Sequence, residues 1–170
     1  MRLVIIILIL IAVFTSCSKN CENSQTAKSL DIYFLKSYNT NPQSDVIISG
    51  SEVLSDEKAI GYDEIIKYDP ENHCFTLKRN TIIRLNDDPP IHKKAFAVVI
   101  DGEIIYTGYF WALFSSAICD WINIDYLDNG QNKVYVKLGY PTNAFGAGFI
   151  DERNNEKIIK LLECDGKLAD

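Results

Sequence analysis

Apolar residues fall mostly in short runs of strand length, cut by dense Asn, Asp, Gly and Pro clusters; only the last segment has helical spacing. The longest and best-punctuated pattern runs from Ala95 to Ser116. Two apolar segments there flank Asp101-Gly102, a pair suited to a two-residue type I′ turn with positive φ at both positions. That turn predicts a hairpin pairing Ile100 with Glu103, Val98 with Ile105 and Phe96 with Thr107. Phe96, Val98 and Ile105 then share one face, and Ala97, Val99, Ile104 and Tyr106 the other. Both faces are apolar, so the hairpin is expected in the middle of a sheet covered on both sides. Gly108 is expected to mark a bulge or a close backbone approach.

The other elements follow from the same reading. Leu30 to Lys36 is rich in aromatic and branched residues and predicts a first strand. A turn cluster over Asn39–Asp45 precedes a short second strand, Val46–Ser49. Ser55-Asp56-Glu57 has the form of a helix start, with a capping Ser and acids in the first turn. Glu64–Tyr68 and Cys74–Lys78 flank Asp69-Pro70-Glu71-Asn72 and predict a hairpin. Asn80 is placed as the cap of a short helix through Leu85. Trp121–Tyr126 and Lys133–Leu138 are read as strands on either side of an Asp128–Gly130 turn, and Tyr140–Gly148 as a loop. Ile158, Leu161 and Leu162 form an apolar stripe from Asn154 to Cys164, with Gly166 at the C-cap position. The fold class expected is α+β: a mostly antiparallel sheet around the Asp-Gly hairpin, the C-terminal helix on one face, and one or two short helices.

The N-terminus changes the picture. Met1-Arg2 precedes twelve apolar residues, Leu3–Phe14. The run is short for a membrane span, which takes about 20 residues, but fits the apolar region of a signal peptide. Phe14-Thr15-Ser16-Cys17 resembles the lipobox of bacterial lipoproteins, with Phe14 where Leu is commonest. The resemblance implies cleavage before Cys17 and a lipid on its thiol. Residues 1–16 are then the signal peptide, 17–28 a polar tether and 29–170 a single domain. The implied location is the bacterial cell envelope, with the outer membrane as the expected site, and the membrane is the first partner.

Export also bears on the other cysteines. Cys21, Cys74, Cys119 and Cys164 allow three pairings if all are joined, and an exported chain can keep disulfides. Cys21 with Cys164 would join the tether to the last helix. Cys74 and Cys119 lie in apolar surroundings, where a free Cys behaves as a small buried hydrophobe. The net charge of −6 and the lack of a Lys/Arg cluster argue against nucleic acid as a partner.

A second likeness rests on the middle of the chain. Ile65-Ile66-Lys67-Tyr68-Asp69, Phe75-Thr76-Leu77, Val98-Val99-Ile100-Asp101-Gly102 and Ile104-Ile105-Tyr106 come in an order that resembles the small α/β module in the periplasmic head of the SecD translocon subunit. Similar bacterial exported modules continue as Gly108-Tyr109-Phe110-Trp111 and Ser115-Ser116 do here. The likeness covers about Val46 to Asp125 and implies a noncatalytic binding or scaffolding module.

Candidate chemistry is sparse. Tyr106, Tyr109, Phe110 and Trp111 are placed as candidate binding aromatics where the hairpin leaves the sheet, with Ser115 and Ser116 beside them. Their competing role is to close the core rim and cap a turn. His73 and His92 are the two histidines, and a zinc site needs three or four converging ligands, so no metal or other cofactor is assigned. No Gly-x-Ser-x-Gly elbow is present, Cys119-Asp120 alone specifies nothing, and no catalytic residue is assigned. Asp87-Asp88 reads as solvated loop charge. Gly146-Ala147-Gly148 does not open a phosphate-binding helix. The expectation is a lipid-anchored binding or scaffolding protein whose partner is an envelope protein or a small ligand. An envelope hydrolase using His73 or His92, and an inhibitor or immunity lipoprotein, are the alternatives.

Overall fold

The computed structural model describes Cys21 and residues 29–90, 92–111, 116–125, 131–146 and 148–169. The signal segment, Cys17, most of the tether, Ser115 and the Asp128–Gly130 turn lie outside the described residues. Eight strands form one sheet: β1 (Leu30–Ser37), β2 (Val53–Ile60), β3 (Ile65–Asp69), β4 (Cys74–Leu77), β5 (Lys94–Ile100), β6 (Glu103–Phe110), β7 (Asn123–Asp125) and β8 (Lys133–Lys137). Two helices accompany it, α1 (Arg79–Asp87) and α2 (Glu156–Cys164). The strand order is β2-β1-β5-β6-β7-β8-β4-β3, and only β6 and β7 run parallel. The fold is α+β with the C-terminal helix on one face, as the patterning predicts.

The order has a geometric consequence. β2 and β3 are the two edges of the sheet, yet Ile60 and Ile65 are joined by a short 3₁₀ turn. Five residues of chain reach about 17 Å, whereas the edges of a flat eight-stranded sheet would stand about 34 Å apart. The sheet therefore curls until its edges approach. The larger core fills the concave side, with Ile32, Ile60, Tyr68, Phe75, Phe96 and Phe110 from the strands, Ile82 and Leu85 from α1, and Ile158, Leu161 and Leu162 from α2. A smaller core on the other face gathers Leu35, Ile47, Ala95, Ala97, Val99, Tyr109, Trp111 and Cys119.

Glu64 clamps the region where the edges meet. Its carboxylate accepts from Gly61 N (2.7 Å), from Thr81 Oγ1 (2.9 Å) and from the Arg84 guanidinium (3.0 Å). Arg84 also donates to Ala59 O on β2, and Glu64 O accepts from Lys78 N. Burial disfavours the charged Glu64 carboxylate, but the Gly61 N–H, Arg84 and Thr81 outweigh it and hold its pKa below the usual value.

The central hairpin has the expected turn, with φ of 50° at Asp101 and 84° at Gly102. Its register follows prediction at Ile100↔Glu103 but slips at a bulge, giving Val98↔Tyr106, Ala97↔Thr107 and Phe96↔Gly108. The extra residue moves Tyr106 to the Phe96 and Val98 face, against the predicted arrangement. Gly108 is a close approach: a Cβ there would stand 2.6 Å from both Ile122 O and Phe96 Cζ.

Four further expectations are corrected. Ser55-Asp56-Glu57 lies inside β2 and starts no helix; an edge strand carries charge readily, and Lys58 Nζ pairs with Asp31 at 2.9 Å. Val46–Ser49 forms only a bridge, Thr40↔Ile47. Trp121 and Ile122 precede β7, which starts at Asn123. Asn80 sits within α1, whose N-cap position is Lys78; burial of Thr81, Ile82 and Leu85 offsets the poor helix propensity of this segment. At α2 the cap is Asn155, accepting from Lys157 N, and Gly166 takes a φ of 65° just beyond the helix. Residues after it add to the β3 edge through Tyr68 N to Lys167 O (2.7 Å) and Ala169 N to Tyr68 O (2.8 Å). Cys21 and Cys164 form a disulfide with 5.6 Å between their Cα atoms, and Cys74 and Cys119 are free and buried.

Candidate functional site

The hairpin exit lies where β5 begins and β6 ends, at the end of the sheet opposite Asp101-Gly102. Tyr106, Tyr109, Phe110 and Trp111 are all at most 5% exposed. Phe110 packs on Phe34 and Phe96 in the larger core. Tyr109 meets Tyr38 edge-on, and Trp111 packs between His92 (4.4 Å) and Tyr140 (6.0 Å). Ser116 is exposed. The structure thus divides the aromatics between the two faces of the sheet, Tyr106 and Phe110 in the larger core and Tyr109 and Trp111 in the smaller, and leaves their rings little access to solvent. Trp111 Nε1 and Tyr106 Oη are buried without a hydrogen-bond partner.

Above this buried layer lies an open groove of about 560 Å³, lined by Thr40, Asn41, Ser44, Asp45, Lys93 and Asp120, with Ile118 at its rim. Three separate segments build it. The turn after β1 supplies residues 40–45, held by Asn41 N to Val46 O and Ile48 N to Asn39 O. Lys93 precedes β5 at a φ of 65°, its N–H donating to Phe110 O. Ile118 and Asp120 flank Cys119, whose N–H and C=O both pair with Tyr140. The floor is polar. Asp45 pairs with Lys93 Nζ at 2.6 Å, and Asp45 N donates to Asp120 Oδ1 at 2.6 Å. Lys93 also stands 5.8 Å from the Tyr109 ring centre. The bond to Asp45 outweighs the desolvation of Lys93 and raises its pKa. The groove offers hydrogen-bonding groups of both signs, within the size range of small-ligand clefts.

The histidines take different roles. His92 meets the Trp111 ring edge-on. His73 ends the β3–β4 turn at a φ of 48°, with Nδ1 3.5 Å from Tyr68 Oη. Burial, then the nearby Arg153, lowers its pKa. Cys74 points into the core, so His73 and Cys74 do not converge.

A second polar constellation escaped the sequence reading. Arg153 is 5% exposed and donates to Asp151 through Nε (2.8 Å) and Nη2 (2.6 Å), and to Val136 O through Nη1 (2.8 Å). Tyr68 Oη donates toward Arg153 O (3.0 Å) and Asn154 Oδ1 (2.8 Å). Paired with Arg153, Asp151 has its pKa lowered. With these donors engaged, the cluster fixes the entry to α2. The only sequence signal was an Asp-x-Arg triplet ahead of a helix cap. Among the described residues no three His, Cys, Asp or Glu side chains converge as metal ligands. Nor is any described helix long and apolar enough to cross a membrane. No family model matches the chain, and neither a curated protein nor a solved structure matches it.

Proposed function

We propose that this chain is a lipid-anchored bacterial envelope protein that acts as a noncatalytic binding module through the groove at Asp45, Lys93 and Asp120. The observation that carries the reading is the Cys21–Cys164 disulfide, because such bonds persist in oxidising compartments outside the cytosol. It lies four residues after the lipobox-like Cys17, so two independent features support export. Exposed apolar side chains support binding. Phe145, Phe149 and Ile150 are exposed in the loop that follows Tyr140, and Ile118 is 55% exposed beside Cys119. An exposed Ile118 beside a polar floor suits a protein or small-ligand partner.

The test is purification of the acylated protein from its own envelope, comparing the native chain with an Asp45→Ala/Asp120→Ala variant. A partner protein or small molecule retained by the native chain and lost from the variant is expected. Equal retention by both chains would place the binding elsewhere. Cys17→Ala is expected to abolish acylation, and an unchanged acylated product would refute the anchor.

A further inference from the structure

The disulfide joins the beginning of the described chain to the end of its last helix. We infer that this bond, rather than the polar leader, sets how the domain sits on the membrane. The pole around Tyr62, Asp165 and Lys167 then rides against the lipid headgroups and the groove faces away. The inference rests on the proposed lipidation of Cys17 and deepens that reading.

The argument is one of chain length. If the leader alone tethered the domain, Cys17 to Ser29 would span twelve residues, a reach of about 42 Å. With Cys21 bonded to Cys164, only four residues separate the acylated Cys17 from a fixed point on the domain, a reach of about 14 Å. Across the 5.6 Å between the two Cα atoms of the disulfide, the end of α2 cannot leave the headgroup region by more than about 20 Å.

The fold places the rest of this pole. Asp165, next to Cys164, accepts from Tyr62 Oη at 2.5 Å, and Lys167 Nζ donates to Tyr62 O at 2.7 Å while standing 3.7 Å from its ring centre. Tyr62 N in turn donates to Asp31 Oδ1 near the start of β1. The groove begins beyond the other end of the same strand, at Thr40. From Asp31 to Ser37 the strand extends about 20 Å. Anchor and groove therefore occupy opposite ends of β1.

The surface chemistry fits a lipid surface. The chain as a whole carries a net charge of −6, which an anionic leaflet repels. At this pole part of the acidic charge is paired: Lys78 Nζ lies 3.8 Å from Asp63, and Lys167 and Asp165 both engage Tyr62. A tyrosine among paired charges suits the headgroup layer.

The mature acylated protein, isotope-labelled, is incorporated in phosphatidylethanolamine–phosphatidylglycerol nanodiscs carrying gadolinium-chelate headgroups, and its amide signals are followed by NMR. Loss of the Tyr62, Asp165 and Lys167 signals with retention of those of Thr40, Asn41 and Ser44 is expected. A Cys21→Ser/Cys164→Ser variant is expected to recover the lost signals. Because that variant sacrifices stability, a second chain keeps the disulfide and carries a flexible insert between Cys17 and Cys21; it too is expected to recover them. Uniform loss, or loss greatest at the groove, in an acylated sample overturns the orientation alone. A mature protein whose mass shows no lipid overturns the anchor reading and the inference with it.

Discussion

Glu64 and Arg84 tie together the region where the edges of the curled sheet approach: the guanidinium reaches both oxygens of the carboxylate at 3.0 Å and the β2 carbonyl of Ala59 at the same distance. Glu64 belongs to the 3₁₀ turn between the edges and Arg84 to α1. The pair is unequal. Glu64 also bonds Gly61 N and Thr81, whereas the Arg84 side chain is 45% exposed. Glu64→Ala is therefore expected to cost about 2 kcal/mol, the scale of charged hydrogen bonds lost from a partly buried site. Arg84→Met should cost less than about 1 kcal/mol, as for a solvent-screened pair. Urea denaturation of both variants checks the ranking, and a larger loss for Arg84→Met would invert this account.

Acid should unfold the protein through the same carboxylates. Glu64 and Asp151 both have folded pKa values below their ordinary ones. Near the ordinary carboxylate pKa of about 4 the unfolded chain binds more protons than the folded one, so stability rises with pH there. The contribution is present above the unfolded values and is lost as pH falls through the folded ones. Thermal melts from neutral pH downward should show this decline, and Asp151→Asn should flatten it.

Gly108→Ala is expected to destabilise by about 2 kcal/mol or more, because the methyl would meet the Ile122 carbonyl and the Phe96 ring, both within the packed core. Gly148→Ala, where nothing lies within 4 Å of the added carbon, is expected to stay within about 0.5 kcal/mol. Equal melting temperatures for the two would mean that β6 shifts freely.

Burial raises the Cys74 thiol to about 11 and the Cys119 thiol to about 12. Neither supplies appreciable thiolate at pH 8. Iodoacetamide should leave both unmodified in the native protein and modify both after denaturation, as peptide mass spectrometry would show. Native modification of Cys119 would reveal opening of the segment that supplies Ile118 and Asp120 to the groove.

The central hairpin was legible because Asp101-Gly102 both forms the turn and fixes its register locally. The bulge was not legible: Ile104, Ile105 and Tyr106 are all apolar, so alternation does not record which residue is extra. Ser55-Asp56-Glu57 satisfies a local helix-start pattern, but the pairing of β2 with β1 decides its conformation. The groove could not be read at all. Its floor joins Asp45, Lys93 and Asp120, distant in sequence, through the meeting of a turn, a strand entrance and a bridge to Tyr140. Arg153 was missed for a related reason, since it lies in a turn and its partner Val136 O belongs to the distant strand β8.

The bond between Cys21 and Cys164 closes most of the chain into a covalent ring. One proteolytic cut in any exposed loop inside it opens the ring without releasing a fragment. A nicked molecule would gain only the mass of one water and stay covalently joined until a reductant opened the disulfide and a denaturant parted the strands.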